Sequence, residues 1–384
     1  MRISELCRTF FKKGDMILLV LCIIASTAGL VLIYSATRYN TQYSSFVYKQ
    51  AVFIVLGIIA YVVMTFIDIE LIIEKSWKFL LGASVFLLLL LIPFGVEGDT
   101  GNRSWAYLPG LPVGIQPAEV VKIMFILLLA FQMDKLRPKD ISRPSSILKI
   151  TLITLFFCGL IAVVSGDMGM ILVYLFIFTF MAFIAGVRLR WFALAGALAG
   201  GGAYLLFPHL PQYIQMRVLV VFDHSLDPLG KGFHQLRSLL AIGSGQLSGM
   251  GFLQGTQTQS SLSSSLPARH TDFIFAVCGE EFGMIGCCLL LIILLAIIAR
   301  CAMVSRASKS HLSAYIAMGY AGMLLTQTVL NVGMCLFVFP VVGLTLPFIS
   351  YGGSSLLTLF IAMGIVSGIK MRSLPSWLRD RSNI

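Results

Sequence analysis

The sequence predicts an all-α polytopic membrane protein, because composition, hydropathy and the spacing of apolar stretches all indicate it. Of the 384 residues, 58% are hydrophobic and only 12% are charged, about half the charged fraction of a soluble domain. The mean hydropathy is +0.92. Apolar stretches of about 18 residues or more are typical of transmembrane helices. Ten such stretches are predicted: residues 16–37, 47–67, 77–95, 117–133, 149–165, 169–187, 191–207, 271–299, 312–339 and 348–369.

The distribution of basic residues predicts how these spans are oriented. Most of the 28 Lys and Arg residues fall in loops on the same side as the N-terminus. Because basic loops favour the cytoplasmic side, both termini are predicted to be cytoplasmic. The net charge of +11 then belongs mainly to a collar facing anionic headgroups and does not indicate nucleic acid. The first span lacks a following small-residue cleavage site, so we expect a retained anchor. No cysteine falls in a predicted outer loop, so no disulfide framework is expected.

The whole chain, residues 1–384, is predicted to be a single membrane domain with one large extracytoplasmic loop, residues 208–270. Loops of this length in compact domains are usually functional or disordered. Apolar residues at helical spacing over 212–244 predict short amphipathic helices. The polar, low-complexity run 254–265 is expected to be mobile. The glycine-rich run GSGQLSG, 243–249, lacks the spacing of a phosphate loop and is expected to be a tight turn.

Ionisable residues collect at the predicted outer ends of the spans. Glu119 and Lys122 begin the fourth span, three residues apart on one face, where they could pair. Asp167 lies in the link before the sixth span, and Asp272 lies at the mouth of the eighth. Charged groups inside membranes usually face a partner or a functional cavity. For Asp272, helix capping and a functional role stay open as alternatives.

Two further carboxylates, Glu280 and Glu281, lie deeper in the eighth span. At about 100° per residue, Glu281 faces away from Asp272, and both lie roughly 12 Å from it along the helix axis. They cannot both share a site with Asp272. We therefore interpret them as structural groups that pair or hydrogen-bond with neighbouring segments.

Several other residues could bind an anionic ligand at the outer face. Arg103 and Trp105 lie in the loop 98–110, and Arg217 lies in the large loop. Arginine suits phosphate because its guanidinium presents a planar fork of donors. His270 precedes the aspartate region and either orients Asp272 or lies at the surface. Two classes of protein fit these residues: an enzyme that acts on a lipid-linked phosphate, or a transporter.

The end of the chain, NVGMCLFVFPVVGLTLPFISYGGSSLL (331–357), resembles the signature of the shape, elongation, division and sporulation (SEDS) family. The motifs GNRSW, QPAEVVK, SGDMG and LPARHTDFIFAVCGEEFG match family motifs in the same order. The resemblance covers essentially the whole chain. It departs from the family pattern only within SGDMGM and QPAE, which affects the fine geometry of the link before the sixth span. Within LPFISYGGSS (346–355), a kinked helix start and a direct substrate contact by Ser354 or Tyr351 stay open as alternatives.

The resemblance implies a peptidoglycan glycosyltransferase that polymerises lipid II into β-1,4 glycan strands at the outer face of the cytoplasmic membrane. Asp272 is carried over as the general base for the acceptor hydroxyl, with inversion at the donor sugar and undecaprenyl diphosphate as leaving group. A divalent cation, Mg²⁺ or Mn²⁺, is implied, with unassigned ligands. The implied substrate-binding residues are Arg103, Trp105, Glu119, Lys122, Asp167, Arg217, His270 and Ser354.

The resemblance also implies a branch and a partner. Arg269, GTQTQ and NVGM favour the elongation (RodA-like) branch over the division (FtsW-like) branch. The implied partners are a class B penicillin-binding protein, which supplies the transpeptidase, and other proteins of the elongation machinery. The alternatives are a lipid II flippase, which predicts charges at several depths along a path, and a non-catalytic scaffold, which predicts that Asp272 is replaceable.

Overall fold

A computed structural model describes most of the chain, and the fold and site are built from these parts. The described residues are 3–38, 44–97, 102–107, 114–137, 140–209, 215–216, 219–220, 232–262 and 265–373.

Each of the ten predicted spans overlaps a helix, and the span predicted at 77–95 also includes the short helix α5 (Leu91–Phe94). These helices are α2 (Met16–Thr37), α3 (Ser44–Phe66), α4 (Ile69–Leu89), α6 (Pro117–Leu136), α7 (Pro144–Val164), α8 (Met168–Ile184), α9 (Leu189–Leu206), α11 (Ile274–Ala307), α12 (His311–Cys335) and α13 (Gly353–Ser373). Three further helices are α1 (Ile3–Lys13), α5 (Leu91–Phe94) and α10 (Phe233–Ser244). A 3₁₀ turn, Phe207–His209, follows α9.

Length and composition alone qualify six helical stretches among the described residues to cross a membrane. They are Met16–Thr37, Ser45–Phe66, Ile69–Phe94, Pro144–Val164, Ile274–Ala307 and Gly353–Ser373. Met168–Ile184 is apolar but shorter. The polytopic helical fold is confirmed, and the count of ten spans stays a prediction.

Helix packing separates a buried core from a lipid-facing periphery. Helix α13 packs along α3, and α12 packs against α8, α6 and α11. Helix α6 is buried around most of its circumference, including Glu119 and Lys122, so it lies at the centre of the bundle. Helix α9 exposes most of its side chains and lies at the edge.

The inner end of the bundle is held by a buried aspartate. Asp15 caps α2 by accepting a hydrogen bond from the main-chain N–H of Leu18 at 3.3 Å. Its carboxylate also pairs with Arg300 of α11 at 2.9 Å and with Lys370 of α13 at 3.2 Å. A buried carboxylate needs such partners because burial of an unpaired charge is costly. Asp15 thereby joins three helices.

Helix α11 is interrupted at Gly283, which has φ 66° and ψ −164°, a conformation that favours glycine. The main-chain N–H groups of Met284 and Ile285 donate to the carbonyls of Gln246 and Leu247 at 2.9 and 3.2 Å. In return, the carbonyls of Glu280 and Glu281 accept hydrogen bonds from residues 250 and 251 at 2.9 and 3.1 Å. Residues 246–251 thus replace the helix's own bonds at the break, and backbone groups there stay paired as an apolar environment requires.

Two elements at opposite ends of the molecule were not predicted from the sequence. One is the amphipathic helix α1, which is too short and too charged to be detected as a span. The other is a minimal antiparallel pair, β1 (Gly95–Val96) with β2 (Trp105–Ala106), followed by a bridge from Ala106 to Ile115. This pair folds the loop that carries Arg103 and Trp105 against the end of α5. We refer to this end of the bundle, which is predicted to be extracytoplasmic, as the outer end.

Candidate functional site

Asp272 lies in a turn at the outer end, immediately before α11. The N-cap residue of α11 is Phe273, and no side chain caps the helix. Asp272 is therefore not the cap, because the helix begins one residue later than a cap at Asp272 requires. Asp272 is half-buried, and its main-chain carbonyl accepts a hydrogen bond from Asn331 Nδ2 of α12 at 2.8 Å.

The environment of Asp272 suits a general base. Burial raises the pKa of its carboxyl to about 6, and the negative charge of Asp167 raises it further in the same direction. Burial also raises the pKa of Asp167, and hydrogen bonds from Met170 and Ser104 offset part of this rise. A carboxylate whose pKa approaches the working pH can both accept a proton and release it.

Asp167 joins the outer loop to the start of α8. Its Oδ1 accepts from the N–H of Met170 at 3.1 Å and so caps the helix, and its Oδ2 accepts from Ser104 Oγ at 2.8 Å. The N–H of Arg103 donates to the carbonyl of Ser165 at 3.0 Å. These bonds fix the β2 segment next to Asp167.

Glu119 and Lys122 form the predicted pair near the start of α6. Lys122 Nζ lies 2.8 Å from Glu119 Oε2, and the side chains are 0% and 4% exposed. Ser355 Oγ of α13 also donates to Glu119 Oε2 at 3.3 Å. Next to it, Ser354 Oγ accepts from the N–H of Gln116 at 3.5 Å. Ser354 is therefore buried against the start of α6.

The remaining candidate residues are distributed around Asp272 rather than gathered on it. Arg103 and Trp105 are exposed on the outer loop, and Arg103 pairs with Glu97 at 2.8 Å. Arg217 lies outside the described residues. His270 is half-buried, with its ring centroid 5.2 Å from that of Phe46. Burial, together with the charge of Arg269, lowers the pKa of His270 to about 4, so its imidazole is neutral at pH 7.

Glu280 holds the loop segment that we expected to be mobile. Its carboxylate accepts four hydrogen bonds, from Thr256 Oγ1 (3.1 Å), the N–H of Gln257 (2.7 Å), and the N–H and Oγ1 of Thr258 (2.8 and 2.5 Å). A buried carboxylate satisfied by this many donors fixes the backbone that supplies them. The structure therefore contradicts the expected mobility over the described part of 254–265.

Arg269 holds the same turn from the other side. Its guanidinium donates to the carbonyls of Gln257 (3.1 Å), Thr258 and Ser260 (2.9 Å). Arg269 is 5% exposed, so these bonds are shielded from water. Main-chain N–H groups of the turn thus bind Glu280, and main-chain carbonyls of the same turn bind Arg269.

Glu281 links the same region to α2. Its Oε1 accepts from Ser35 Oγ at 2.6 Å and from Gln259 Nε2 at 2.9 Å. Both glutamates are hydrogen-bonded to neighbouring segments, so their structural interpretation is confirmed.

Replacing Glu280 with alanine is expected to lower the free energy of unfolding by about 3 kcal/mol, because buried donors of the 256–258 turn lose their acceptor. Thermal unfolding in detergent measures the loss, and hydrogen exchange should rise over residues 255–260. Glu74→Ala, at an exposed position of α4, is the matched control and should unfold like the wild type. Unchanged exchange in Glu280→Ala would contradict this prediction.

Comparison with known proteins identifies the family. The family model for the cell cycle proteins FtsW, RodA and SpoVE matches residues 15–374. The chain is a SEDS protein. Like other members, this SEDS chain is a multi-pass protein of the bacterial inner membrane, consistent with its apolar helices.

Named relatives of this SEDS protein come from several branches. The peptidoglycan glycosyltransferase MrdB of Escherichia coli is 33% identical over 371 residues, covering 94% of this chain and 95% of the relative. The probable peptidoglycan glycosyltransferase FtsW of Geobacter sulfurreducens is 32% identical over 367 residues, covering 94% and 96%. Stage V sporulation protein E of Bacillus subtilis is 31% identical, covering 94% and 97%. Identity at these levels does not separate the elongation branch from the others.

Solved structures agree with the SEDS assignment. A chain of a peptidoglycan synthase complex that coordinates polymerization and crosslinking matches with a TM-score of 0.79 and 31% identity, covering 94% of this chain and 98% of that one. The rod shape determining protein RodA of Thermus thermophilus matches with a TM-score of 0.68 and 28% identity, covering 94% and 98%.

Proposed function

We propose that this SEDS protein is a peptidoglycan glycosyltransferase that polymerises lipid II, with Asp272 as general base. The observation that carries this proposal is a half-buried carboxylate at the outer end whose pKa is raised to about 6. Relatives named as peptidoglycan glycosyltransferases support the reaction class. The lipid II flippase is not favoured, because those relatives are named as enzymes.

The proposed reaction is a single displacement. Asp272 accepts the proton of the 4-hydroxyl of the acceptor N-acetylglucosamine as that oxygen bonds to the anomeric carbon of the donor sugar. The bond from that carbon to the diphosphate breaks, and undecaprenyl diphosphate leaves with the electron pair. Inversion at the carbon produces the β-1,4 linkage. One base and a stabilised leaving group are sufficient for this step.

The leaving diphosphate needs positive charge, for which Arg103, Lys122 and Arg217 are the proposed sources. Arg103 is exposed at the outer end and has an acidic neighbour, Glu97, with which a phosphate would compete. Lys122 has no exposed surface, so its contact with a phosphate requires a rearrangement of α6 and its neighbours. In the packed state, Lys122 acts through its pair with Glu119.

A divalent cation fits this site. Mg²⁺ is commonly held by one or two carboxylates together with substrate phosphates and water. Asp167 supplies one carboxylate close to Asp272, on whose carboxyl its charge acts, while the described residues contain no cluster of three or more metal-binding side chains. Asp167 would hold the ion together with the substrate diphosphate, which leaves Asp272 free as the base, and the ion would supply charge stabilisation for the diphosphate.

An apolar groove of about 480 Å³ between α8, α9 and α12 provides a surface for the polyprenyl chain of the substrate. Phe176, Phe180 and Phe183 line one wall, and Leu330 lines the other. Leu330 directly precedes Asn331, whose side chain contacts the Asp272 carbonyl, so the groove and the proposed catalytic site border the same turn of α12.

A transpeptidase partner and a role in cell elongation complete the proposal. The similar chain from a synthase complex that couples polymerization to crosslinking supports a penicillin-binding partner, and we propose a class B enzyme. Other elongation proteins are proposed as further partners, on the sequence features that favour the RodA-like branch.

The function is tested with purified protein and its class B partner in liposomes that contain fluorescent lipid II. Glycan polymer, detected by gel electrophoresis and digested by a muramidase, is the expected product. Transbilayer movement of lipid II is measured in the same vesicles with a membrane-impermeant quencher. Movement without polymer would reject the glycosyltransferase and favour the transporter.

A further inference from the structure

We propose that Asn331 and Ser350 are positioning residues, which hold the main chain of the 270–272 turn so that the Asp272 carboxylate faces the acceptor. This inference rests on the proposed function and assigns the supporting structure of its base. Neither residue was singled out from the sequence.

Three consecutive carbonyls of the turn are each bound by a different donor. The carbonyl of residue 270 accepts from the N–H of Tyr351 at 2.9 Å. The carbonyl of Thr271 accepts from Ser350 Oγ at 2.6 Å, and that of Asp272 accepts from Asn331 Nδ2 at 2.8 Å. With every carbonyl fixed, the peptide planes on both sides of Asp272 are fixed, and so is the direction of its Cα–Cβ bond.

Asn331 is 0% exposed and joins two segments through one amide group. Its Nδ2 donates to the carbonyls of Asp272 at 2.8 Å and Leu344 at 2.6 Å. An amide nitrogen has two N–H groups, so both are used. Asn331 thereby ties the end of α12 to the turn before α11 and to the loop that follows α12.

Ser350 is 5% exposed and acts as donor and acceptor at once. Its Oγ donates to the carbonyl of Thr271 and accepts from the N–H of Leu346 at 2.8 Å. Its own carbonyl accepts from Gln50 Nε2 of α3 at 3.2 Å. The Ser350 hydroxyl is therefore fixed by a hydrogen bond from its own loop as well as by its hydrogen bond to the turn.

The loop after α12 also approaches the carboxylate itself. Gly343 has φ +69°, and a Cβ at this position would lie 3.8 Å from Asp272 Oδ2. Next to it, the carbonyl of Val342 would lie 2.2 Å from a Cβ at Gly169, the second residue of α8. The loop thus packs tightly against the start of α8, where Asp167 is the cap, and also borders Asp272.

The expected consequence is a loss of rate rather than of substrate binding. Misplacement of a reacting group by about 1 Å can cost about 100-fold in rate. We expect Asn331→Ala and Ser350→Ala to lower kcat about 10- to 100-fold, with the KM for lipid II within about twofold of the wild type. Ser350→Thr keeps the hydroxyl and should recover most of the rate.

The matched controls are Gln327→Ala and Ser367→Ala, which remove buried polar side chains from α12, the helix of Asn331, and from α13, the helix that follows Ser350. Both should retain kcat. Asn331→Asp keeps the shape of the side chain but loses the donation and adds a negative charge. Its kcat should fall as in Asn331→Ala, again with little change in KM.

The inference is overturned if kcat is unchanged in both Asn331→Ala and Ser350→Ala, or if the controls lose as much. A rise in KM at constant kcat also overturns it, because that indicates a binding role. If Asn331→Ala fails to fold, Asn331→Asp replaces it under the same criteria. If Ser350→Ala fails to fold, the Asn331 variants decide. Full activity in Asp272→Asn would reject the proposed base. If Asp272→Asn is inactive while the Asn331 and Ser350 variants stay active, only the positioning roles are rejected.

Discussion

Replacing Asp272 with asparagine is expected to lower the rate of lipid II polymerisation by about 10²- to 10⁴-fold, the usual contribution of a general base. Asparagine has nearly the same shape but cannot accept the proton of the acceptor hydroxyl. Lipid II binding should persist, because the backbone of the turn is held by Asn331 and does not depend on the carboxylate. Gel-resolved polymer formation measures the rate, and co-purification of labelled lipid II measures binding.

Asp68→Asn is the matched control for this substitution. Asp68 caps α4 at the opposite end of the molecule by accepting from the N–H of Leu71 at 3.3 Å. Asparagine caps helices about as well as aspartate, so this variant should polymerise normally. Polymerisation by Asp272→Asn at the wild-type rate would show that the base is another residue.

The raised pKa of Asp272 also predicts how rate and stability depend on pH. The base must be deprotonated, so the wild-type rate should rise through about pH 6 and then level off. Because the folded state binds this proton more tightly than the unfolded chain, the stability that the group contributes is present below about pH 4. That stability is lost as the pH rises through about 6. At pH 7.5, Asp272→Asn should therefore unfold at the same temperature as the wild type or a higher one.

Replacing Lys122 with methionine is expected to lower the free energy of unfolding by about 3–5 kcal/mol, because it leaves Glu119 as an unpaired buried carboxylate. Glu119 is 3% exposed, so water cannot replace the lost partner. Helix α6 is the most central helix of the bundle, and its loosening should also remove polymerase activity. Thermal unfolding in detergent and polymer formation are the two measurements.

A double variant separates stability from chemistry at this pair. Glu119→Gln combined with Lys122→Met removes both charges, and replacing a buried pair by uncharged groups is often neutral for stability. The double variant should recover much of the unfolding temperature. If it also recovers polymerisation, Lys122 does not contribute charge to the reaction, and the proposed diphosphate contact is wrong.

Local sequence patterns predict the helices, the charged pair on α6 and the position of Asp272. Hydropathy over some twenty residues located the helices, since a span must be apolar along its whole length. The Glu119–Lys122 pair followed from a spacing of three residues on one helix. The position of Asp272 at the mouth of a helix was likewise read from its immediate neighbours.

Contacts between distant segments were beyond the same reasoning. Glu280 binds the 256–258 turn from 22 to 24 residues away, and Asn331 reaches Asp272 across 59 residues. The sequence therefore predicts a mobile run at 254–265, because the hydrogen-bond partners of this run lie in other segments. Glu280 and Asn331 are each conspicuous in the sequence, as a carboxylate and as a lone asparagine in an apolar stretch. No spacing rule, however, predicts which distant segment each of them binds.

The interruption of α11 left a signal that the prediction of one continuous span overlooked. Glycine is a poor helix former, and Gly279 and Gly283 flank the two glutamates. Two glycines around two carboxylates favour a break over a regular membrane helix. The tight approach of Gly245, whose Cβ would lie 1.9 Å from the carbonyl of Gly279, shows how closely the inserted segment packs at that break.

This break divides α11 into two mechanical parts. The outer part, which follows Asp272, is bonded through the carbonyls of Glu280 and Glu281 to residues 250 and 251 of the large loop. The inner part is bonded to Gln246 and Leu247 and continues through the bundle to Arg300, which is anchored by Asp15. Residues 246–251 are thus bonded to both parts and act as a splint across the break. The angle between the two parts, and with it the placement of the turn that carries Asp272, is set by the large loop rather than by the helix's own hydrogen bonds.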